Sequence, residues 1–260
     1  MKDTAVLTNH MRRFENQVAI ISGGAEGLGK GIAERIAEEG GTVALFDINE
    51  ELLNKTVSEF TDRGFSVVGY KVDVSSENEV KEAISAVEHK FLKIDIVVNS
   101  AGIVGPTNTK ITDYSVDDYD EVYRVNLRGS FLMTKYAIIA MEKNNYGRIL
   151  LFASIAGKEG NPFMTGYSST KAGVIGLVKG IGKEYAETGI TVNGIAPAVI
   201  KTAMNERTAP EQLAYMTAKI PMKRLGTVEE VSSLSTWIVS REASFSTGFI
   251  FDLSGGRATY

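Results

Sequence analysis

Apolar, β-branched runs alternate with amphipathic stretches from Val18 almost to the end of the chain. That alternation predicts βαβ units built on a parallel sheet. The expected strands are Val18–Ser22, Thr42–Asp47, Ser66–Lys71, Ile94–Asn99, Arg148–Ser154, Thr191–Ala196 and Phe249–Leu253. Most are too uniformly apolar to turn one face to water, so helices should cover the sheet on both sides. The pattern therefore predicts a doubly wound α/β fold in one domain, residues 17–260, after an N-terminal extension of residues 1–16.

Helices carry their own marks. Ser76 followed by Glu79 forms a capping box for a helix running to about Lys90. Two later stretches, about Asp117–Glu142 and Tyr167–Glu187, are longer and apolar on more than one face, so each has two sides to bury. The second contains Gly173, Gly176, Gly180 and Gly182, each costing about 1 kcal/mol relative to alanine in a helix. Close approach of another element explains that cost, either the sheet of the same subunit or a second subunit.

Composition narrows the function. The 260 residues are 43% hydrophobic and 23% charged, an ordinary globular balance, and the net charge is −4 with acidic residues spread along the chain. A phosphate-tracking nucleic-acid groove and a polybasic membrane patch are both disfavoured. The chain has no cysteine, which excludes disulfides, thiolate nucleophiles and cysteine metal sites. His10 and His89 stand far apart and read as surface residues, so no metal is expected. Residues 1–14 carry no apolar run long enough for a signal peptide or membrane helix, which makes a cytoplasmic location the expectation.

Chemistry begins after the first strand. Ser22-Gly23-Gly24-Ala25-Glu26-Gly27-Leu28-Gly29 opens an amphipathic helix carrying Ile32, Ile36 and Ala37. Glycines there let the backbone approach a pyrophosphate, whose charge meets the free N–H groups and positive end of the helix. The second strand ends in Asp47, where a carboxylate can hydrogen-bond the adenosine ribose and repel a 2′-phosphate, favouring NAD(H) over NADP(H). Neutral Asn49 leaves NADP(H) possible. Asp73-Val74 and Asn99-Ser100-Ala101-Gly102 follow the third and fourth strands, where ligands bind in open α/β sheets.

Tyr167 and Lys171, spaced i, i+4, share one helix face. A phenol of pKa ~10 needs its pKa lowered by about two units, roughly 2.7 kcal/mol, to act as a base near neutrality, which a nearby cation can supply. Ser154, at the end of the fifth strand, can donate to a substrate oxygen as charge develops on it. Asn126, flanked by Val125 and Leu127 in the first long helix, can hold a water that relays protons to Lys171.

Taken together, Ser22–Gly29, Asp73, Asn99–Gly102, Asn126, Ser154 and Tyr167-Ser168-Ser169-Thr170-Lys171 resemble the short-chain dehydrogenase/reductase family in order and spacing. The resemblance spans Val18 to Gly256. It implies a Rossmann-type domain with a seven-stranded parallel sheet, usually a homotetramer, and a catalytic tetrad of Asn126, Ser154, Tyr167 and Lys171. It also implies that the tyrosine exchanges the proton, the nicotinamide the hydride, and that the lysine binds the nicotinamide ribose. The implied cofactor contacts are Ser22, Gly23, Glu26, Gly27, Leu28, Gly29, Asp47, Ile48, Asp73, Val74, Asn99, Ala101, Gly102, Tyr167, Lys171, Pro197, Val199, Ile200 and Thr202. Three positions depart from the family: Ser22 often is Thr, Ser100 often is a second Asn whose amide supports the central turn, and Pro197-Ala198 often is Pro-Gly.

Substrate signals are weaker. Residues 201–224 resemble the segment that covers substrate in this family. The runs Ser154–Pro162 and Phe251–Tyr260 resemble bacterial dehydrogenases of sugars and 2-keto-3-deoxy sugar acids, alongside 3-oxoacyl-carrier-protein-reductase-like members. Ser154, Ala156, Lys158, Asn161, Lys201 and Arg257 are the expected substrate contacts, with Lys158, Lys201 and Arg257 as candidate cations for a carboxylate and Arg257 able to reach a neighbouring subunit. Two alternatives stay open: a 3-oxoacyl-carrier-protein or CoA reductase, using Lys201, Arg207, Lys219, Lys223 and Arg224 as a basic patch, and a non-catalytic dinucleotide sensor.

Overall fold

A computed structural model describes residues 12–202, 214 and 216–260. Its centre is a seven-stranded sheet of β1 (Val18–Ser22), β2 (Thr42–Asp47), β3 (Val67–Lys71), β4 (Ile96–Asn99), β5 (Gly147–Phe152), β6 (Ile190–Pro197) and β7 (Ile250–Leu253), in the order β3-β2-β1-β4-β5-β6-β7. Every pairing is parallel. The order reverses between β1 and β4, which opens a crevice at the carboxyl ends of those two strands.

Alternate side chains feed two cores. Val18 and Ile20 of β1 join Ala44, Val97 and Leu151 against α3 (Glu77–Phe91), α5 (Gly129–Glu142) and α7 (Thr165–Glu184). Ala19 and Ile21 join Val43, Val98 and Leu150 against α1 (Gly27–Glu38), α2 (Glu50–Asp62) and α8 (Val228–Ile238). A strand buried on both faces has no polar alternation to show, which is why these segments read as continuous apolar runs.

Element boundaries differ from the sequence expectation for local reasons. Asp95 leaves β4 because its carboxylate accepts from the Val18 N–H at 2.8 Å. Ser154 leaves β5 to cap the short α6 (Ile155–Glu159), accepting from Ala156 N at 3.1 Å. The expected extension is also shorter than residues 1–16: Phe14 is fully buried in the second core, and Arg13 pairs with buried Glu39 beside Arg35. Burial raises the Glu39 carboxyl, but hydrogen bonds from Arg13 and Arg35 outweigh it and hold the group below its ordinary value. The packed domain therefore reaches back to Arg13.

The stretch expected as one helix, Asp117–Glu142, is three pieces. α4 (Val116–Tyr123), capped by Ser115, runs into a π turn at Arg124–Arg128 and then into α5. A single π turn inside an α-helix often marks a functional site. Asn126 lies at its middle and is fully buried.

Candidate active site

The glycine turn after β1 is built by close backbone contact. Gly23 has φ +63°, and a Cβ there would sit 3.1 Å from the Ala101 backbone; a Cβ on Gly29 would fall 2.1 Å from the Gly23 carbonyl oxygen. Gly27 also has φ +56°, yet nothing lies within 4 Å of its Cβ position. The helix it opens has Glu26 at its N-cap with no side-chain cap, so the first N–H groups and the dipole end are available to an anion. These features fit a pyrophosphate over the turn.

Asp47 at the end of β2 accepts from Ala25 N at 3.1 Å and Asn49 N at 3.0 Å, one bond to each oxygen, which ties the carboxylate to the glycine turn. Ile48 beside it is exposed. Asp73 receives Ser75 N and Oγ at 2.9 and 2.6 Å and Arg124 Nη1 at 3.2 Å. Burial raises that carboxyl, but these bonds prevail and hold it below its ordinary value. Val74 packs against Gly129.

The β4 turn is cross-bonded to the β1 turn. Ser22 Oγ donates to Asn99 Oδ1 at 2.6 Å and accepts from Ala101 N at 3.3 Å. Ser100 Oγ donates to the Ser22 carbonyl at 2.6 Å, so the departure at position 100 still supplies a donor to the central turn. The other departure, Ala198, has no positive φ, and its N–H donates to Leu253 O at 3.0 Å. Pro197 ends β6, and Val199 and Ile200 pair with Gly226 across a short parallel bridge. Thr202 is half-buried, and residues 203–213, the middle of the expected substrate cover and the site of Arg207, lie outside the described residues.

Tyr167 and Lys171 occupy the first turns of α7, with the ammonium 5.7 Å from the phenol ring centroid. Burial raises the Tyr167 pKa, and a hydrogen bond with Ser154 pulls it back in part. Lys171 is buried and donates to the Phe152 carbonyl at 2.6 Å, and burial alone lowers its pKa to about 8. Ser154, Tyr167 and Lys171 thus meet in one place. A Cβ on Gly102 would lie 3.5 Å from Lys171 Nζ and 3.0 Å from Asn126 Oδ1, so the β4 turn closes over the same spot.

Asn126 is part of this cluster, but its amide holds protein. Oδ1 accepts from Ile103 N, and Nδ2 donates to Ile103 O, both at 2.8 Å, with Thr170 Oγ1 at 3.3 Å. Asn126, expected to hold a relay water, also clamps the Ile103 backbone. Ile103, Thr170 and the Phe152 carbonyl escaped the sequence reading, because two of the three act through backbone atoms.

Two expected substrate contacts are also corrected. Lys158 is almost buried, 3.2 Å from Asp252, and donates to the Tyr260 carbonyl, while Tyr260 Oη donates back to Lys158 O at 2.8 Å. Arg257 binds Glu159 at 2.8 Å and Asn161 Oδ1 at 3.1 Å within its own subunit. These contacts join the C-terminal tail to α6 and the following loop, and they leave neither cation free. Lys201 is the exposed one of the three. Ala156 is buried beside Ser154, and Asn161 faces Arg257. In the expected basic patch, Arg224 is paired with Glu230 at 2.6 Å and Lys223 donates to Ala218 O.

Among the described residues, no group of His, Cys, Asp and Glu can hold a metal, and no helix is long and apolar enough to cross a membrane. The family profile described as enoyl-(acyl carrier protein) reductase matches residues 23–258. A 2-dehydro-3-deoxy-L-rhamnonate dehydrogenase (NAD(+)) from a Sphingomonas species is 42% identical, over 95% of this chain and 98% of its own. A 3-oxoacyl-[acyl-carrier-protein] reductase from Thermotoga maritima is 36% identical, over 94% and 98%. The crystal structure of an NAD+-bound xylitol dehydrogenase superposes with a TM-score of 0.89 at 31% identity, covering 94% of this chain and 99% of its own.

Proposed function

The chain belongs to the short-chain dehydrogenase/reductase family, and from that premise we propose that it is an NAD(H)-dependent oxidoreductase acting on a secondary alcohol or carbonyl of a small sugar acid. The observation that carries the reading is the meeting of Ser154, Tyr167 and Lys171 beside the β1/β4 crevice, with Asp47 at the crevice's far end. Nicotinamide supplies the hydride acceptor or donor. The turn of Gly23, Glu26, Gly27, Leu28 and Gly29, backed by buried Ser22, holds the pyrophosphate, Asp47 and Ile48 the adenosine ribose, and Asp73 and Val74 the adenine. Ala101, Gly102, Pro197, Val199, Ile200 and Thr202 wall the nicotinamide half, with buried Asn99 behind them.

Tyr167 Oη exchanges the proton with the reacting oxygen, and Ser154 Oγ donates to that oxygen while charge builds on it. Lys171 places a cation at the phenol when protonated, favouring the phenolate over the phenol. Asn126 fixes the Ile103 backbone at the mouth of the same pocket.

A sugar acid is favoured over a carrier-bound 3-oxoacyl group because the 2-dehydro-3-deoxy-L-rhamnonate dehydrogenase is more similar, at 42% identity, than the 3-oxoacyl-carrier-protein reductase at 36%, and exposed Lys201 is left as the candidate cation for the sugar-acid carboxylate. The sensor alternative loses its ground because the proton-transferring groups are in place together. The assembly proposed is a cytoplasmic homotetramer. Its support is two separate apolar faces: a groove lined by Leu127, Phe131, Gly173, Gly176 and Leu177, and the β7 edge with exposed Phe245, Phe249 and Trp237.

Nicotinamide absorbance, followed across keto-deoxy acids, sugar acids, uronate-derived ketoaldehydes, sugars and 3-oxoacyl thioesters with NAD(H) and NADP(H), tests this reading. Wild-type turnover of a sugar-acid class with NAD(H), lost by at least a hundredfold in Tyr167→Phe while NADH still binds, is the expected result. Turnover confined to the thioesters would overturn the substrate class.

A further inference from the structure

A buried chain of hydrogen bonds runs from the glycine turn to the π turn through a residue with no role so far, Ser130. Ser22 Oγ donates to Asn99 Oδ1 at 2.6 Å, Asn99 Nδ2 donates to Ser130 Oγ at 2.9 Å, and Ser130 Oγ donates to the Asn126 carbonyl at 2.6 Å. All four residues are essentially sealed from solvent, none more than 2% exposed. No water can substitute for a missing member without a rearrangement of packed elements.

The proton order along this chain is fixed from one end. The Asn126 carbonyl can only accept, so the single Ser130 hydroxyl proton goes there. Ser130 Oγ is then an acceptor toward Asn99, which must present its amide NH2 and turn its oxygen to Ser22. Ser22 gives its proton to that oxygen, and its own oxygen is left to accept the Ala101 N–H at 3.3 Å. Reversing Asn99 would set its oxygen against Ser130 Oγ, whose proton is already given to the Asn126 carbonyl.

Asn126 is therefore held at both ends, its carbonyl through Ser130 to β1 and β4, its amide on Ile103. We propose that Ser130 is a positioning residue that locks the dinucleotide turn and the Asn126 segment into one frame, so that cofactor affinity and turnover both depend on its hydroxyl. The inference rests on the reading of the β1/β4 crevice as a dinucleotide site, and it concerns a buried side chain bonded only to protein groups.

The test compares Ser130→Thr with Ser130→Val, two side chains of nearly equal volume that differ by the hydroxyl, with Ser130→Ala as a third variant that adds no bulk. NADH affinity is read by fluorescence titration, and turnover is read with whichever substrate the wild type accepts. Valine and alanine should each weaken NADH binding at least fivefold relative to threonine and lower kcat at least tenfold, with substrate KM unchanged. NADH dissociation constants within twofold across the three variants, with only their melting temperatures differing, would reduce Ser130 to a structural group and overturn the proposal. A wild type that binds NADH but turns over nothing in the panel would count against the sugar-acid reading while leaving the affinity comparison decisive for Ser130.

Discussion

Among the described residues, Lys171 carries the clearest electrostatic cost. It is buried with a backbone carbonyl as acceptor and no acidic side chain beside it, and its pKa falls from 10.5 to about 8. A depression of this size corresponds to about 3 kcal/mol of penalty on the charged form in the folded state. Below pH 8 both folded and unfolded chains are protonated there, so the whole penalty is present. Between about pH 8 and 10.5 the unfolded chain binds the extra proton, so stability rises with pH, and above that range the penalty is gone. Lys171→Met removes the titration while keeping similar volume. Urea unfolding should show wild type gaining on that variant as pH rises from 8 to 10, and a constant difference would refute the burial argument. The residue types of the site were legible: the i, i+4 spacing put Tyr167 and Lys171 on one face, and that face exists. What spacing could not reveal is the third partner, because the acceptor for Lys171 is the end of β5, brought in by the fold. The same limit explains Lys158 and Arg257, whose charges suggested a substrate carboxylate while Asp252 and Glu159 already lay within reach.

At the scale of elements, α7 shows how much of its packing the glycines encode. A Cβ on Gly182 would fall 2.4 Å from the backbone N and Cα of Gly248, in the turn before β7, and no rotamer can relieve a contact with backbone. A Cβ on Gly173 would fall 2.6 Å from Leu127 Cδ2, the tip of a side chain that can turn away. Gly182→Ala should therefore cost about 2 kcal/mol or more, whereas Gly173→Ala should cost less, since overpacking that side chains absorb sits at the low end of the usual range. Chemical denaturation of the two variants gives the order directly, and equal losses would contradict it. The sequence reading offered the sheet or a second subunit as the element near these glycines; Gly182 does meet the sheet, its Cβ position 3.1 Å from the Val192 carbonyl of β6, as well as the loop at Gly248, while Gly173 meets the π turn. Strands and most helices were legible because burial on both faces and capping residues such as Ser76 leave a compositional trace. The π turn was not, because Val125, Asn126 and Leu127 fit an α-helical pattern equally well, and the one-residue slip in the hydrogen-bond ladder has no signature in residue type.

Two further glycines of α7, Gly176 and Gly180, bear on the whole molecule. Nothing lies within 4 Å of a Cβ on Gly176 or Gly180, and Gly176 lines the apolar groove that also exposes Phe131. In a lone subunit each glycine costs about 1 kcal/mol for no local reason, and alanine at either should stabilise by that amount. In the proposed tetramer, a second copy seated on this face would supply the missing reason, because small residues let two helices approach closely and a methyl at the contact would hold them apart. Gly176→Ala should then shift assembly from four chains of 28.2 kDa toward smaller species as concentration falls, while raising the stability of the dissociated subunit. The β7 edge with Phe249 and Trp237 is a second, independent apolar face, and two distinct self-complementary faces are what a tetramer of paired dimers requires. A substitution confined to the α7 face should therefore leave dimers intact. Light scattering across a dilution series separates the cases: dimers from the alanine variant support two interfaces, whereas a wild type that is monomeric at all concentrations would remove the tetramer and leave Gly176 and Gly180 as uncompensated costs of the helix.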